Sequence, residues 1–383
     1  MKSNLFCRFA VVFFILLHPD PVLYAQFDKL ETRIDSVMKQ YDMVGLSVVV
    51  VKKGDILYAR SFGEKDRETH TPLSNGDLFR IASISKSFSA TSVMQLVEAK
   101  KISLADDVST LAGFPVRNPN FPDQPITLKM LLSHTSSLND SQGYFSLDAV
   151  NPAKNPDWAK CYSDYAPGKG YAYCNLNFNL VGTIIERVSG ERFDQYVKKH
   201  ILDPLGIYGG YEVSALDSTR FVTLYEYDSS LHRYTPSPMA YNPRREEISQ
   251  YVMGYSTPVF SPTGGMKISA PDLARWMTVH MYYGRYKKTR IIRKKSSKLM
   301  QQKVSDGEGG YGLALWQADN LVPGEVMEGH TGSAYGLYSM LFFQPGKKCG
   351  IVAITNGCNS QPDNGYNRSL KTVLNVLYDA LLR

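Results

Sequence analysis

Apolar positions recur at helical spacing in residues 28–40, where Leu30, Ile34, Val37 and Met38 share one face and Ser36 and Lys39 fall on the polar side. Residues 45–51 and 56–62 are apolar, β-branched runs separated by Lys52-Lys53-Gly54-Asp55, the pattern of a hairpin. From Ser83 to Glu98 no Pro or Gly intervenes, and Ile84, Phe88, Val93, Leu96 and Val97 keep roughly helical spacing. Residues 100–260 are rich in helix signals, Pro-bounded loops and aromatic residues, the clearest helix running from Asn177 to Val188 into Ser189-Gly190. Residues 335–343 and 350–355 read as antiparallel strands around Pro345-Gly346-Lys347-Lys348, and Leu370, Val373, Leu374, Leu377 and Leu381 give a closing amphipathic helix. Strands near both ends with a helical block between them predict an α+β unit whose terminal segments share one sheet.

Composition adds an address. Lys2 and Arg8 precede or open an apolar run from Phe9 to Leu17, and Leu23-Tyr24-Ala25 offers a small residue for cleavage before Gln26, so residues 1–25 read as a signal peptide. That run is short of the ~20 apolar residues that span a bilayer, and Cys7 precedes it, where a lipid-bearing cysteine would follow. An exported, periplasmic or secreted protein without a stable membrane anchor is expected. Losing Lys2, Arg8 and Asp20 takes the formal charge from +7 to +6. No linker or repeat divides residues 26–383, which read as a single domain. Eight Lys and Arg residues crowd Arg285–Lys298, but Thr289 and Ile291-Ile292 interrupt them and no nucleic-acid motif accompanies them, so a solvated turn and helix start is expected.

The chemistry lies in three short motifs in order: Ser83-Ile84-Ser85-Lys86, Tyr173-Cys174-Asn175 and His330-Thr331-Gly332. Each alone is weak. Ser36-Val37-Met38-Lys39 repeats the first spacing, and Lys52-Lys53-Gly54 and Lys348-Cys349-Gly350 are both K-x-G, but the predicted helix and hairpin account for the first two of these. Tyr173-Cys174-Asn175 is the one Y-x-N among 25 tyrosines. A Lys three residues after a Ser on a helix shares its face, within reach of the hydroxyl, and helix N-terminal amides favour developing negative charge. Read alone, Ser83 is an equally good helix N-cap, Tyr173 a packed aromatic and His134 a structural hydrogen-bonding residue. No H-E-x-x-H cluster, G-x-S-x-G elbow or glycine-rich phosphate loop occurs, so neither a metal nor another cofactor is expected.

At these residues the chain resembles the serine β-lactamase and penicillin-binding-protein superfamily, in its branch of class C β-lactamases, D-Ala-D-Ala carboxypeptidases, D-aminopeptidases and esterases. Its signature is S-x-x-K with S-D-N and K-T-G. Here Tyr-x-Asn takes the second place, as in the class C-like branch, and His replaces Lys in the third, which looks more like the carboxypeptidases and related hydrolases. Phe79-Arg80-Ile81-Ala82-Ser83, residues 131–138, Pro167-Gly168, Gly264-Gly265-Met266 and Asp272-Leu273-Ala274-Arg275 are similar to further family landmarks. The resemblance implies an antiparallel sheet flanked by helices, from about 26–80 and 262–383, beside a helical lobe of about 83–260, with the active site in the cleft between them.

It further implies a cofactor-independent serine hydrolase working through an acyl-enzyme on β-lactam-like or D-Ala-D-Ala-like amides, peptides or esters. Ser83 is then the nucleophile, with Lys86 and Tyr173 moving protons, the phenol acidified by Lys86 and His330. Asn175, His330, Thr331 and Gly332 meet the substrate, and the Ser83 and Ser333 amides form the oxyanion hole. A class C β-lactamase proper and a non-catalytic peptidoglycan- or β-lactam-binding sensor stand as alternatives. Because His is less charged than Lys at neutral pH, anionic β-lactams should be poor substrates, and acylation should change as His330 titrates. The four cysteines after the leader allow three full pairings. Cys349 and Cys358 should stay apart, while Cys161 and Cys174, flanking the Pro167–Gly170 turn, are the candidate disulfide. The sequence leaves the oligomeric state open.

Overall fold

The computed structural model describes residues 21–383, so residues 1–20, most of the expected leader, lie outside the described residues. Helix α1 spans Pro21–Gln40, and Leu30, Ile34, Val37 and Met38 are its buried positions while Ser36 and Lys39 face solvent. Strands β1 (Gly45–Lys52) and β2 (Asp55–Asp66) form the expected hairpin. Lys53 and Gly54 both take positive φ, 56° and 92°, the left-handed turn that matches strand twist. The short β3 (Thr71–Pro72) follows on the far side of β2.

The other strands of this sheet come from the C-terminal part: β4 (Trp316–Val322), β5 (Glu325–Ala334), β6 (Leu337–Gln344) and β7 (Cys349–Thr355). The order is β4-β5-β6-β7-β1-β2-β3, antiparallel throughout. β1 lies against β7 from Leu46 opposite Thr355 to Lys52 opposite Cys349, so the two ends of the chain close one sheet. Neither β4 nor β5 is among the strands expected from the sequence. β4 carries Asp319-Asn320 and β5 carries Gly329 and Gly332, so neither shows an apolar run, and His330-Thr331-Gly332 lies inside β5.

Both faces of the sheet are covered, which is why β1 is apolar at successive positions rather than alternating. Leu46, Val48 and Val50 pack with α1 and the closing helix α5 (Arg368–Leu381), where Leu370, Val373, Leu374, Leu377 and Leu381 are buried. Val49 and Val51 face the larger core, built on α2 (Lys86–Glu98), α3 (Asn175–Ser189) and α4 (Ala270–Met281). There Phe88 of α2 stacks on Trp276 of α4 at 4.2 Å. The middle of the chain is not wholly helical: Phe79–Arg80, Lys267–Ile268 and Gly209–Gly210 form a small three-stranded sheet, and Tyr225–Asp228 pairs with Arg233–Pro236. The basic cluster occupies a short hairpin at Arg285–Arg290 and the helix Lys294–Gln301, with Ile291 and Ile292 buried between.

His280 on α4 and His330 on β5 are fully buried, and burial depresses each to about 3. The unfolded chain binds protons on both near 6.5, so their contribution to stability is present above that pH and lost as pH falls towards 3. Glu328, raised to about 7 by burial, acts in the opposite sense: its contribution is present below about 4.5 and is lost as pH rises towards 7, overlapping the histidines' range only in its upper part. Neither ring nitrogen of His280 has a hydrogen-bond partner. His280→Leu, of similar volume and unable to titrate, should therefore gain about 2 kcal/mol more over the wild type at pH 5 than at pH 7.5. Urea unfolding at the two pH values tests this, and equal differences would remove His280 from the acid sensitivity.

Candidate active site

Ser83 does not open a regular α-helix. It sits in a tighter turn, Ala82–Ser85, and α2 proper starts at Lys86. Neither helix start uses a side-chain cap, so the N-cap alternative for Ser83 falls away. Ala82 adopts φ 49°, a conformation uncommon for a residue with a Cβ. This turn is gripped by β5 and β6: the Ser339 hydroxyl donates to the Ile81 carbonyl at 3.0 Å, and Gly332 passes directly over it. A Cβ on Gly332 would lie 2.3 Å from the Ile81 oxygen and 2.5 Å from Ser339 Oγ, so glycine alone lets the strand approach the nucleophile turn this closely.

Lys86 is fully buried and reaches Ser83 from behind. Its Nζ donates to Ser83 Oγ at 3.0 Å, Asn175 Oδ1 at 2.9 Å and the Thr263 carbonyl at 3.1 Å. These oxygen acceptors suit the N–H donors of an ammonium group. The Tyr173 ring lies over Nζ at 4.7 Å and Phe178 at 5.6 Å, adding cation–π attraction.

Asn175 is fixed from both ends. Its Oδ1 accepts from Lys86 and from the Thr263 hydroxyl at 2.8 Å, while Nδ2 donates to Asp140 Oδ2 at 3.0 Å, which settles the orientation of the amide. Asp140 also accepts the backbone N–H groups of Asn175 at 2.8 Å and Leu176 at 3.0 Å. It thus caps α3 from outside the helix and places a negative charge at the positive end of the helix dipole. His134 Nδ1 accepts the Cys174 N–H at 3.1 Å, and its ring lies 4.3 Å from Tyr173. Burial, Lys86 and His330 hold His134 well below the usual imidazole range, so it is a neutral support for the Tyr173–Asn175 turn.

His330 departs from expectation. Its Nδ1 lies 2.5 Å from the Thr331 carbonyl and its Nε2 3.0 Å from the Tyr311 hydroxyl, with Trp316 stacked on the ring at 5.1 Å. A carbonyl only accepts, so Nδ1 carries the proton, and Nε2 of the neutral ring accepts from Tyr311. With its pKa pushed down to about 3, His330 is uncharged across the neutral range. It adds no positive charge near Tyr173, and its titration cannot shape a rate profile between pH 5 and 9. The lowering is in the direction expected beside Lys86 but larger, so any dependence of acylation on His330 falls below that range.

The candidate disulfide is corrected too. Cys161 and Cys174 are both free, buried thiols; Cys161 Sγ donates to the Ala149 carbonyl at 3.2 Å and Cys174 Sγ to Asp140 Oδ1 at 3.2 Å. Each is committed to its own acceptor, and Cys174 belongs to the Asp140 cap. Cys349 and Cys358 are also free.

A cleft of about 550 Å³ gathers Ser83, Tyr173, Asn175, His330, Thr331, Gly332 and Ser333. Its walls include Tyr144, Phe145, Trp316 and Tyr335, and Glu226 is the acidic residue among the lining. Sequence reasoning missed Asp140, Thr263 and Tyr311. Thr263 abuts the Gly264-Gly265-Met266 landmark, and that adjacency was its one signal. Among the described residues no cluster of His, Cys, Asp and Glu suits a metal.

The arrangement sets a caged lysine behind an accessible serine, beside a Tyr-x-Asn turn and an edge-on strand, which is the geometry that nucleophilic serine chemistry requires. The family model for Beta-lactamase matches residues 30–374, and the chain belongs to that family, whose members are serine hydrolases. It is 27% identical to penicillin-binding protein 4 of Amycolatopsis lactamdurans over 343 residues, covering 85% of this chain and 84% of that protein. It is 23% identical to protein flp of Staphylococcus aureus strain MW2 over 341 residues, 86% of this chain, and spans 62% of the length of that protein. The structure of the octameric penicillin-binding protein homologue from Pyrococcus abyssi superposes with a TM-score of 0.73 at 27% identity, covering 92% of this chain and 76% of that one.

Asp140→Ala uncaps α3 and frees the Asn175 amide. It should lower stability by about 1–2 kcal/mol and slow covalent labelling of Ser83 by a fluorophosphonate about tenfold or more, as expected when a positioning contact is lost. Wild-type labelling rate and urea midpoint in this variant would show that Asp140 supports neither.

Proposed function

We propose that the protein is an exported, cofactor-independent serine hydrolase that acts through an acyl-enzyme on D-Ala-D-Ala-like peptides, amides or esters. The contact of Lys86 Nζ with Ser83 Oγ inside a cage of Asn175 and Thr263 carries this reading. Because the cage holds Lys86 charged, the lysine acts as the fixed cation that stabilises an ionised tyrosine and an alkoxide rather than as the first base. Tyr173, against that cation, takes the Ser83 proton as Oγ bonds to the substrate carbonyl carbon. The carbonyl π electrons pass to oxygen, met by the Ser83 and Ser333 amides. The C–N or C–O bond then breaks, and the leaving group takes the proton back from Tyr173. Water repeats the sequence on the ester to release the acid and restore Ser83.

The neutral His330 supports a preference for peptides and esters over anionic β-lactams, since it offers a substrate carboxylate no charge. The aromatic walls formed by Tyr144, Phe145 and Tyr335 favour an acyl group with an apolar or aromatic side chain.

Ser83→Ala should abolish turnover and covalent labelling, while Ser36→Ala, on the exposed face of α1, changes neither. Intact mass after exposure to a panel of β-lactams and D-amino-acid esters reads this, and a full covalent adduct on the Ser83→Ala protein would refute the nucleophile. Over pH 5–9, stopped-flow acylation should show no inflection that His330→Gln removes. His330→Lys should raise acylation by a penicillin, relative to a neutral ester, about tenfold or more, as a nearby charge pair worth ~1–4 kcal/mol would give. Rapid penicillin turnover by the wild type would instead make the protein a working β-lactamase.

A further inference from the structure

Behind the active-site cleft lies a second cavity that the proposed chemistry does not use. It measures about 20 Å³, room for one water-sized or halide-sized particle, and Arg80, Arg244 and Lys267 all line it. Lys267 is buried at 4% exposure and Arg80 at 9%. The Arg80 guanidinium is held in place by the Gly264 carbonyl at 3.0 Å, the Ala240 carbonyl at 3.2 Å and Ser261 Oγ at 3.4 Å, all neutral acceptors. Lys267 Nζ donates to the Tyr211 carbonyl at 2.5 Å, one acceptor for three possible protons.

The charges do not balance. Among the described residues, no carboxylate lies within ion-pair distance of Arg80, Arg244 or Lys267. Glu212 also lines the cavity, but it is already paired with Arg192 at 2.5 Å, and Asp194 is held by the same arginine at 2.6 Å. Burial lowers the Arg80 guanidinium, but a guanidinium starts far above neutrality, so the cavity keeps a positive potential whatever Lys267 does. Burial and the two arginines push Lys267 well below the usual lysine range, and Asp194, already held by Arg192, offsets this only in part. Taking such a group out of water unpaired is costly, and the cost is relieved either by deprotonation or by an anion beside it.

We propose that this cavity is a binding site for a small inorganic monoanion of halide size, chloride being the abundant case. The site joins directly to the catalytic machinery. Arg80 lines both the cavity and the substrate cleft, where its guanidinium lies over the Tyr335 ring at 4.9 Å, and it precedes the nucleophile turn by two residues. Lys267 pairs with Arg80 across the small sheet, and the Ser261–Lys267 segment includes Thr263, which holds Lys86 and Asn175. An anion at this point locks the Phe79–Arg80 strand to that segment. Its loss loosens the lysine cage without touching substrate.

The test is halide dependence of the full-length protein at constant ionic strength, sodium chloride or bromide replacing sodium gluconate. Chloride and bromide should each give a saturable rise in Tm of about 2–4 °C and a parallel rise in the rate of Ser83 labelling. A bromide-soaked crystal should show an anomalous peak between Arg80, Arg244 and Lys267. Lys267→Met, which removes one of the three cationic donors and leaves both guanidinium groups, should shift the halide midpoint to higher concentration while remaining folded without halide. Arg244→Gln, at a half-buried position, gives a second reading by shifting the midpoint to higher halide concentration. Equal Tm values in chloride and gluconate overturn the proposal. So does a bromide peak without any halide-dependent Tm, which would mark an adventitious ion only.

Discussion

A lysine ammonium with no solvent contact is the constraint around which this molecule is arranged. Lys86 loses its hydration entirely, and an unpaired buried cation would simply shed its proton. Three oxygen acceptors from three separate parts of the chain prevent that: Ser83 from the nucleophile turn, Asn175 from the start of α3, and Thr263 from the loop before the small sheet. Each acceptor needs its own support. Asn175 presents oxygen rather than nitrogen because Asp140 takes the amide hydrogen. Thr263 spends both its carbonyl and its hydroxyl on the cage. The nucleophile turn is held down by Ser339 and by the side-chain-free passage of Gly332. The sheet and the helices of the larger core therefore meet at the charge, and the cleft between them is the space left beside it.

The neutral histidines are the counterpart of that charge. His134 and His330 both approach Lys86 closely enough for its charge to disfavour a second proton, and burial disfavours it further. One positive charge in a dry site strengthens every neighbouring dipole, whereas two would repel each other and split the site. The chain resolves this by giving each ring a fixed tautomer. His134 accepts from the Cys174 amide and His330 donates to the Thr331 carbonyl, so both become rigid spacers that set the Tyr173 turn and β5 in place. Replacing a lysine by histidine at residue 330 is in this light an electrostatic subtraction as much as a change of donor.

Much of this was legible in the residues. The amphipathic pattern of α1 and α5, the β1–β2 hairpin and the β6–β7 pair follow from spacing that tertiary contacts do not override, because their apolar faces are the ones buried. The three motifs were legible by order and type, and they line one cleft or lie directly behind it. β4 and β5 were not, since strands built on glycine and polar residues exist for what they approach rather than for what they bury. Asp140 and Thr263 were invisible for a related reason. A carboxylate that caps a helix 35 residues further along leaves no local pattern, and only the folded chain brings it there. The proposed Cys161–Cys174 bond failed on similar grounds, as loop-closing spacing says nothing about which acceptor each thiol will meet.

The same logic separates the residues of the proposed acyl-transfer machinery from those that would choose a substrate. The cage, the helix cap and the Gly332 crossing are determined by the need to keep one cation buried, and they are indifferent to what enters the cleft. Tyr144, Phe145 and Tyr335, by contrast, line the cleft outside the cage, and Phe145 is more than half exposed at 56%. Changes at these positions alter the shape and polarity of the acyl pocket without uncovering Lys86, so specificity can drift while the machinery stays fixed. A fold that concentrates its electrostatic cost at one buried point leaves its rim free to vary, so the proposed acyl pocket can change shape without disturbing the cage.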